Sequence, residues 1–407
     1  MKHWLCALLI LAMALSLCAC EKKPQEEHRE DPAAVRQEDS KLPPQDSPWG
    51  GSVPVDKTFE RIAGAAEARL TSGQELLLLD FMDRYYRTLQ DLRQVDIRDL
   101  CASAEEAAFQ HCVWNSICTI RGAALEDLTL RGYSFDLAVK SVDRQDDDHL
   151  TVTVLENNVQ YFTALGDIPS EQWAVKHVFD IERLIGDRWV IAHHISDDNP
   201  YYNFDYDREN DKDRNLDKLL SILRQRQESR LETDRESEPA FDHAYDRQAA
   251  REYMMTFAAA RSSRFLAFDD SGGNCMNYGS QVLMAGGIPA DKSGAKEQCW
   301  YNNGGYDLAV SFINVGGFLD YAAANTGAGL VARVGAAYYT GQVGDILTMG
   351  IDNPRSHTTV ICDTVTDADG QVIDFLLCSN TANLRNFPAG AYYYTNQQVT
   401  KIFGWND

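Results

Sequence analysis

Positive charge is in short supply: 38 lysines and arginines stand against 61 aspartates and glutamates, a formal net charge of −23. A protein that binds nucleic acid neutralises phosphates with Lys and Arg, so this balance excludes that class of partner. Long apolar runs are also missing. The longest at the start, Trp4 to Leu17, falls short of the ~20 residues that a membrane-spanning helix needs. Paired metal-binding cysteines are lacking too. His111-Cys112 with Cys118 has no Cys-x-x-Cys half to complete a zinc site, and no metal is expected. Histidine is sparse, and after Cys275 only His357 remains.

What is present begins with a leader. Lys2 and His3 precede the apolar run, which closes on Leu17-Cys18-Ala19-Cys20. A basic start, a short apolar core and a small residue before the cut describe a secretory signal over residues 1–20. The closing tetrapeptide resembles a bacterial lipobox, which implies lipid on Cys20 and an extracytoplasmic, membrane-anchored protein. Residues 21–55 carry Pro24, Pro32, Pro43, Pro44, Pro48 and Pro54 among charges and read as a disordered tether. Seven cysteines follow Cys20, namely Cys101, Cys112, Cys118, Cys275, Cys299, Cys362 and Cys378. An odd number implies at least one free thiol if the others pair.

Two folded regions are expected, with a charged helical linker at 203–240 between them. In 56–202, Leu76 to Leu89 has helical spacing, and Leu100 to Trp114 extends the helical signal. Alternating runs follow at Phe135–Arg144, Leu150–Leu155, Trp173–Leu184 and Arg188–His193. Helices before a curved antiparallel sheet resemble the NTF2-like fold. His193-His194 near Asp197 and Asp198 suggests a metal cluster only superficially, because neighbours on a strand face opposite ways; a surface or half-buried strand end is expected. Asp205, Asp207 and Asp211 lack the glycine and distal glutamate of an EF-hand loop and are expected to be solvated.

From 241 onward the pattern becomes helix, glycine-rich loop, then short strands, an α+β arrangement. Tyr245–Arg261 and Tyr306–Ala324 read as helices; strands are expected at 344–349, 357–362 and 373–378. Gly272-Gly273-Asn274-Cys275-Met276-Asn277-Tyr278-Gly279-Ser280-Gln281 places a thiol at a helix start. Unpaired N–H groups there favour the thiolate. A cysteine hydrolase also needs a base and an orienting partner. His357 at the head of an apolar strand is the candidate base. The orienter should come from the end of the next strand, at Ser379 or Asn380, with Asp363 as a rival. The Cys275 backbone N–H is the natural oxyanion donor, joined by Asn274 or another side chain. Asn277 and Gln281 share one helical face and either line the cleft or tie the helix to its loops. Asp345 reads as a turn-capping residue.

The order Gly-Gly-Asn-Cys-Met-Asn-Tyr-Gly-Ser-Gln, Ala-Gly-Gly-Ile-Pro, Gly-Asp-Ile and Ser-His-Thr-Thr-Val-Ile resembles the bacterial "putative amidase" domain. That family belongs with the papain-like cysteine hydrolases of the NlpC and CHAP types. Cys275, Asn277, Ser280, Gln281, Ala285, Gly286 and Gly287 match its motif. Asn274 replaces the usual aspartate, Met276 threonine, Tyr278 phenylalanine and Gly279 valine. The likeness covers Tyr245 to Trp405. It implies a papain-like fold at 241–407 and a triad of Cys275, His357 and Asn380. Asn380-Thr381 aligns where the family often has histidine followed by serine or threonine. It further implies amide hydrolysis without cofactors, acting on peptidoglycan peptides. The departures from the motif raise a second expectation, an inactive binding or scaffold lipoprotein.

Overall fold

The computed structural model describes residues 62–64, 69–204, 206–207, 212–293 and 298–407. The expected signal, the Cys20 lipid site, the tether, Asp205 and Asp211 lie outside the described residues. No described helix is long and apolar enough to cross a membrane. The described residues form one compact unit of helix and sheet.

After β1 (Ile62–Gly64) come helices α1 (Ser72–Asp91) and α2 (Ala104–Gly122), then strands β2 (Leu130–Arg144), β3 (His149–Phe162), β4 (Ser170–Leu184) and β5 (Arg188–Ser196). Thr71 starts α1 with a capping box: its hydroxyl accepts from Gln74 N–H while the Gln74 side chain returns to Thr71 N–H. Leu77, Leu78, Phe81 and Tyr85 repeat on one helical face and are buried with Trp114 and Ile117 against the β2–β5 meander.

The sheet does not end at β5. Glu171 and Gln172 of β4 pair with Arg385 and Leu384 of β13 (Leu384–Pro388), while His177 to Leu184 pair with β5. Between these two sets lies Ala174 at φ 58°, a left-handed residue that lets one strand change partners. A single path therefore runs through β1, β2, β3, β4 and β13 into the strands of the second half.

A short helix, α3 (Asn199–Asn203), and the small β6 (Tyr206–Asp207) and β7 (Lys212–Asp213) lead to α4 (Leu216–Glu228). Asp207 is buried and paired with Arg214 at 3.3 Å, not solvated. Arg226 of α4 donates to Tyr338 and Gln397, and Gln227 donates to the Ala123 carbonyl. The expected linker helix thus touches both halves.

The second half comprises β8 (His243–Ala244), α5 (Arg247–Phe257), α6 (Cys275–Ala285), α7 (Val310–Ile313), α8 (Val315–Ala324), β9 (Gly329–Ala336), β10 (Ile346–Gly350), β11 (His357–Thr366), β12 (Val372–Ser379), β13 and β14 (Asn396–Asn406). The helix expected over 306–324 is two helices. Extended Asn314 divides them, and its side chain caps α8 by accepting from Gly317 N–H at 2.9 Å. β14 pairs with β8, β9 and β10.

His193 and His194 point to opposite faces, as alternation requires. His194 is fully buried, however, and not at a half-exposed strand end. It joins an internal polar chain: Tyr86 donates to Glu156, Glu156 meets His177 at 3.0 Å, His177 meets His194 at 3.0 Å, and His194 meets Gln110 at 3.3 Å. His193 turns outward to Glu106. Among the described residues no group of three or more His, Cys, Asp or Glu is placed to hold a metal.

Candidate active site

The helix α6 crosses the sheet closely, and its glycines show why. A Cβ on Gly279 would sit 3.3 Å from Ile346 and Thr358 side-chain atoms. One on Gly286 would fall 2.1 Å from the Tyr245 ring. Gly287, at φ 96°, turns the chain away. At the other end Gly273, at φ 101°, lies so near Thr381 that a Cβ would meet its hydroxyl at 3.0 Å. These contacts set the Cys275 end of the helix against the heads of β11 and the end of β12.

Cys275 is the first residue of α6 and is buried, 7% exposed. Four donors converge on its sulfur: its own N–H, the N–H groups of Met276 and Thr358, and the Thr381 hydroxyl. Burial pushes the thiol up from its ordinary value, while those four donors pull it down; burial prevails in this closed arrangement. Thr381 Oγ1 also accepts from Asn274 N–H at 2.7 Å. One hydroxyl therefore fixes the helix entry and faces the thiol.

His357, the first residue of β11, is 6% exposed. Its neighbour Thr358 faces α6, with Oγ1 donating to Met276 Sδ at 3.5 Å, and consecutive strand side chains alternate. The His357 ring accordingly turns to the tyrosines: Nε2 lies 3.2 Å from Tyr392 Oη, and the ring stacks on Tyr394 at 6.0 Å. Burial drives its pKa down to about 4. The Thr358 N–H touching the sulfur places Cys275 one residue from His357 in the chain, yet no described hydrogen bond joins sulfur and ring.

Asn380 does not orient His357. Its carbonyl oxygen accepts from Asn274 Nδ2 at 2.9 Å, and its amide donates to the carbonyls of Phe257, Ala258 and Ala260. The end of β12 bends toward α5 and α6, away from the imidazole. Asn274 is also engaged: its Oδ1 accepts from Phe268 N–H and Asn277 Nδ2, and its Nδ2 donates one N–H to Asn380 Oδ1. Asn277 also donates to the Leu266 carbonyl, and Gln281 accepts from Tyr253 Oη at 2.7 Å. Both tie α6 to its neighbours. Ser379 Oγ lies 2.8 Å from the Thr381 carbonyl and 3.2 Å from that of Thr358, with its single proton to give. Asp363 pairs with Arg251 at 3.4 Å. Asp345, wholly buried, accepts from Arg247, Gln342 N–H and Ile402 N–H. His243 stacks on Trp405 at 3.8 Å, remote in role from the thiol.

Sequence reasoning missed Tyr392, Tyr394 and the side chain of Thr381. The Tyr394 hydroxyl is shared by Tyr202, Asn199 and Tyr392. The first half holds this segment firmly: Tyr393 N–H donates to Asn199 Oδ1 at 2.7 Å, its carbonyl accepts from Asn203, and its hydroxyl accepts from Arg121 Nε at 3.0 Å. The run Tyr392-Tyr393-Tyr394 was the available signal, a cluster of large amphipathic rings between two glycine- or threonine-marked turns.

Residues 244–403 match a family model described as "Putative amidase domain". The match supports a domain of that kind over those residues, and with it hydrolysis of amide bonds in general. No curated protein and no solved structure matches the chain.

Proposed function

We propose that this chain is a cysteine amidase or peptidase, anchored through lipid on Cys20 outside the bacterial cytoplasmic membrane and acting on peptidoglycan peptides. The observation that carries the reading is the cradle of donors around Cys275 within the amidase-like region. The same N–H groups that face the sulfur suit a thiolate and then the oxyanion of a tetrahedral intermediate.

In this reading Cys275 Sγ attacks the amide carbon, and the carbonyl electron pair moves onto oxygen beside the Cys275 and Met276 N–H groups. His357 takes the thiol proton and passes it to the leaving amine; water then cleaves the thioester. With Nε2 at 3.2 Å from Tyr392 Oη, Nδ1 is left to exchange the proton once the ring turns from the tyrosines toward α6. Tyr392 so takes the orienting role that Asn380 was expected to fill. The resting pair is un-ionised, since burial raises one pKa and lowers the other. Catalysis then requires the Tyr392–Tyr394 segment to yield and admit substrate, consistent with hydrogen bonds that tighten only in the complex.

That buried, un-ionised pair equally favours a second reading, a scaffold lipoprotein built on an inactive relative. Iodoacetamide at about pH 6 separates the two. A thiolate–imidazolium pair alkylates there, whereas a thiol of pKa roughly 8.5 scarcely reacts. Selective labelling of Cys275 in the presence of cell-wall peptides supports the enzyme. Labelling no faster than at an ordinary thiol, together with no peptide cleavage, supports the scaffold.

A further inference from the structure

Two cysteines outside the site lie on neighbouring strands of the sheet, Cys362 diagonal to Cys378. Strands β11 and β12 run antiparallel, with Val360 opposite Cys378 and Ile361 opposite Leu377. The register slips between Ile361 and Asp363, so an irregularity falls on Cys362. Both side chains are fully buried, and each thiol lies within the other's electrostatic reach. Asn386 of β13 closes the space: its Oδ1 accepts from Cys362 Sγ at 3.6 Å, and its backbone N–H faces both sulfurs. On the other side Cys378 Sγ lies 3.8 Å from the Met255 thioether. Two thiols, one thioether and one amide do not make the four-ligand set of a structural zinc site. Adjacent thiols on paired strands have another chemistry open to them.

We propose that Cys362 and Cys378 form a disulfide under oxidising conditions, a redox modification site that staples β11 to β12. One thiolate attacks a disulfide oxidant, such as glutathione disulfide, and expels a thiolate to leave a mixed disulfide. The second cysteine sulfur, deprotonated, attacks the protein sulfur of that mixed bond and expels the other half of the oxidant. Two S–H bonds are lost and one S–S bond is made; the oxidant gains two electrons and two protons as two thiols. The bond closes the hairpin between the strand headed by His357 and the strand that leads to Thr381. It thereby holds together the two walls that meet at Cys275. This proposal rests on the thiol pair alone and stands or falls apart from the amidase reading.

The test uses the full chain carrying Cys275→Ala, so that the site cysteine traps no glutathione. The protein is equilibrated in glutathione buffers of rising disulfide content, both from the native state and by refolding from the reduced, unfolded state. After quenching and alkylation it is cut with an Asp-specific protease, because no Lys or Arg separates Cys362 from Cys378. The expected product is the Cys362 peptide joined to the Cys378 peptide, in buffers where Cys101 and Cys118 remain alkylated singly. The joined form should melt several degrees above the reduced form, and the Cys362→Ala/Cys378→Ala double variant should lose that redox dependence. Separate alkylation of both residues in every buffer and by both routes, or joining of either to another cysteine, would overturn the proposal.

Discussion

Replacing Thr381 with valine removes one oxygen and keeps the shape, so it isolates what the hydroxyl does. That oxygen accepts from Asn274 N–H at 2.7 Å, and the hydroxyl's interaction with Cys275 pulls the thiol pKa down. Asn274 is 1% exposed, so no water replaces the lost acceptor, and leaving a buried donor unpaired costs about 1–3 kcal/mol. The thiolate loses one of its four donors. Hydrogen bonds to charged groups are worth about 1.5–3 kcal/mol, and Thr381 is only half-buried, which argues for the low end. With about 1.4 kcal/mol per factor of ten, alkylation of Cys275 near neutral pH should slow roughly tenfold. Thr381→Ser keeps the hydroxyl and should restore most of the rate. The assay is iodoacetamide labelling followed by peptide mass, with Cys275→Ala as blank and a urea melt for stability. A Thr381→Val protein that labels at the wild-type rate and melts at the wild-type midpoint would refute the role assigned to this residue.

Three further outcomes follow from the geometry. His357 has a folded pKa of about 4 against 6.5 unfolded, so between those values the unfolded chain binds the extra proton. Stability from this group is therefore complete above about pH 6.5 and is lost as pH falls toward 4, by about 3 kcal/mol in all; urea midpoints of wild type and His357→Gln should converge in acid. Gly286→Ala should destabilise by about 1–3 kcal/mol, because its methyl would overlap the Tyr245 ring; thermal melts should show Tyr245→Ala recovering part of that loss in the double variant. Ala174→Gly should stabilise by about 0.5–1 kcal/mol by relieving a left-handed alanine at φ 58°, read as a higher urea midpoint with unchanged slope.

The helix beginning at Cys275 and the strand beginning at His357 were legible because each carries a local signal: glycines before a thiol, and an apolar run after a histidine. The paired strands at 346–350 and 372–379 were legible for the same reason. β14 was not, although it joins β8, β9 and β10, because Asn396-Gln397-Gln398 opens it with amides and Gly404 interrupts it. Those amides bond sideways, Gln397 to Tyr338 and Arg226, a tertiary fact with no local trace. The partners of Asn380 were misjudged for a related reason. Strand order told which residue follows His357 in the sheet, but not that the chain bends at Ser379 and turns the amide toward α5. The hydroxyl that meets His357 comes instead from a tyrosine loop held by Asn199, Asn203 and Arg121 of the other half, a pairing distant in sequence and unmarked by any motif.

Cleavage of defined peptidoglycan peptides, read by mass, bears most directly on the central claim. Wild-type protein should convert an amide bond of such a peptide into a new carboxylate and a new amine, while Cys275→Ala, folded to the same urea midpoint within error, should release neither. Equal product from both proteins would contradict the assignment of Cys275 as the nucleophile.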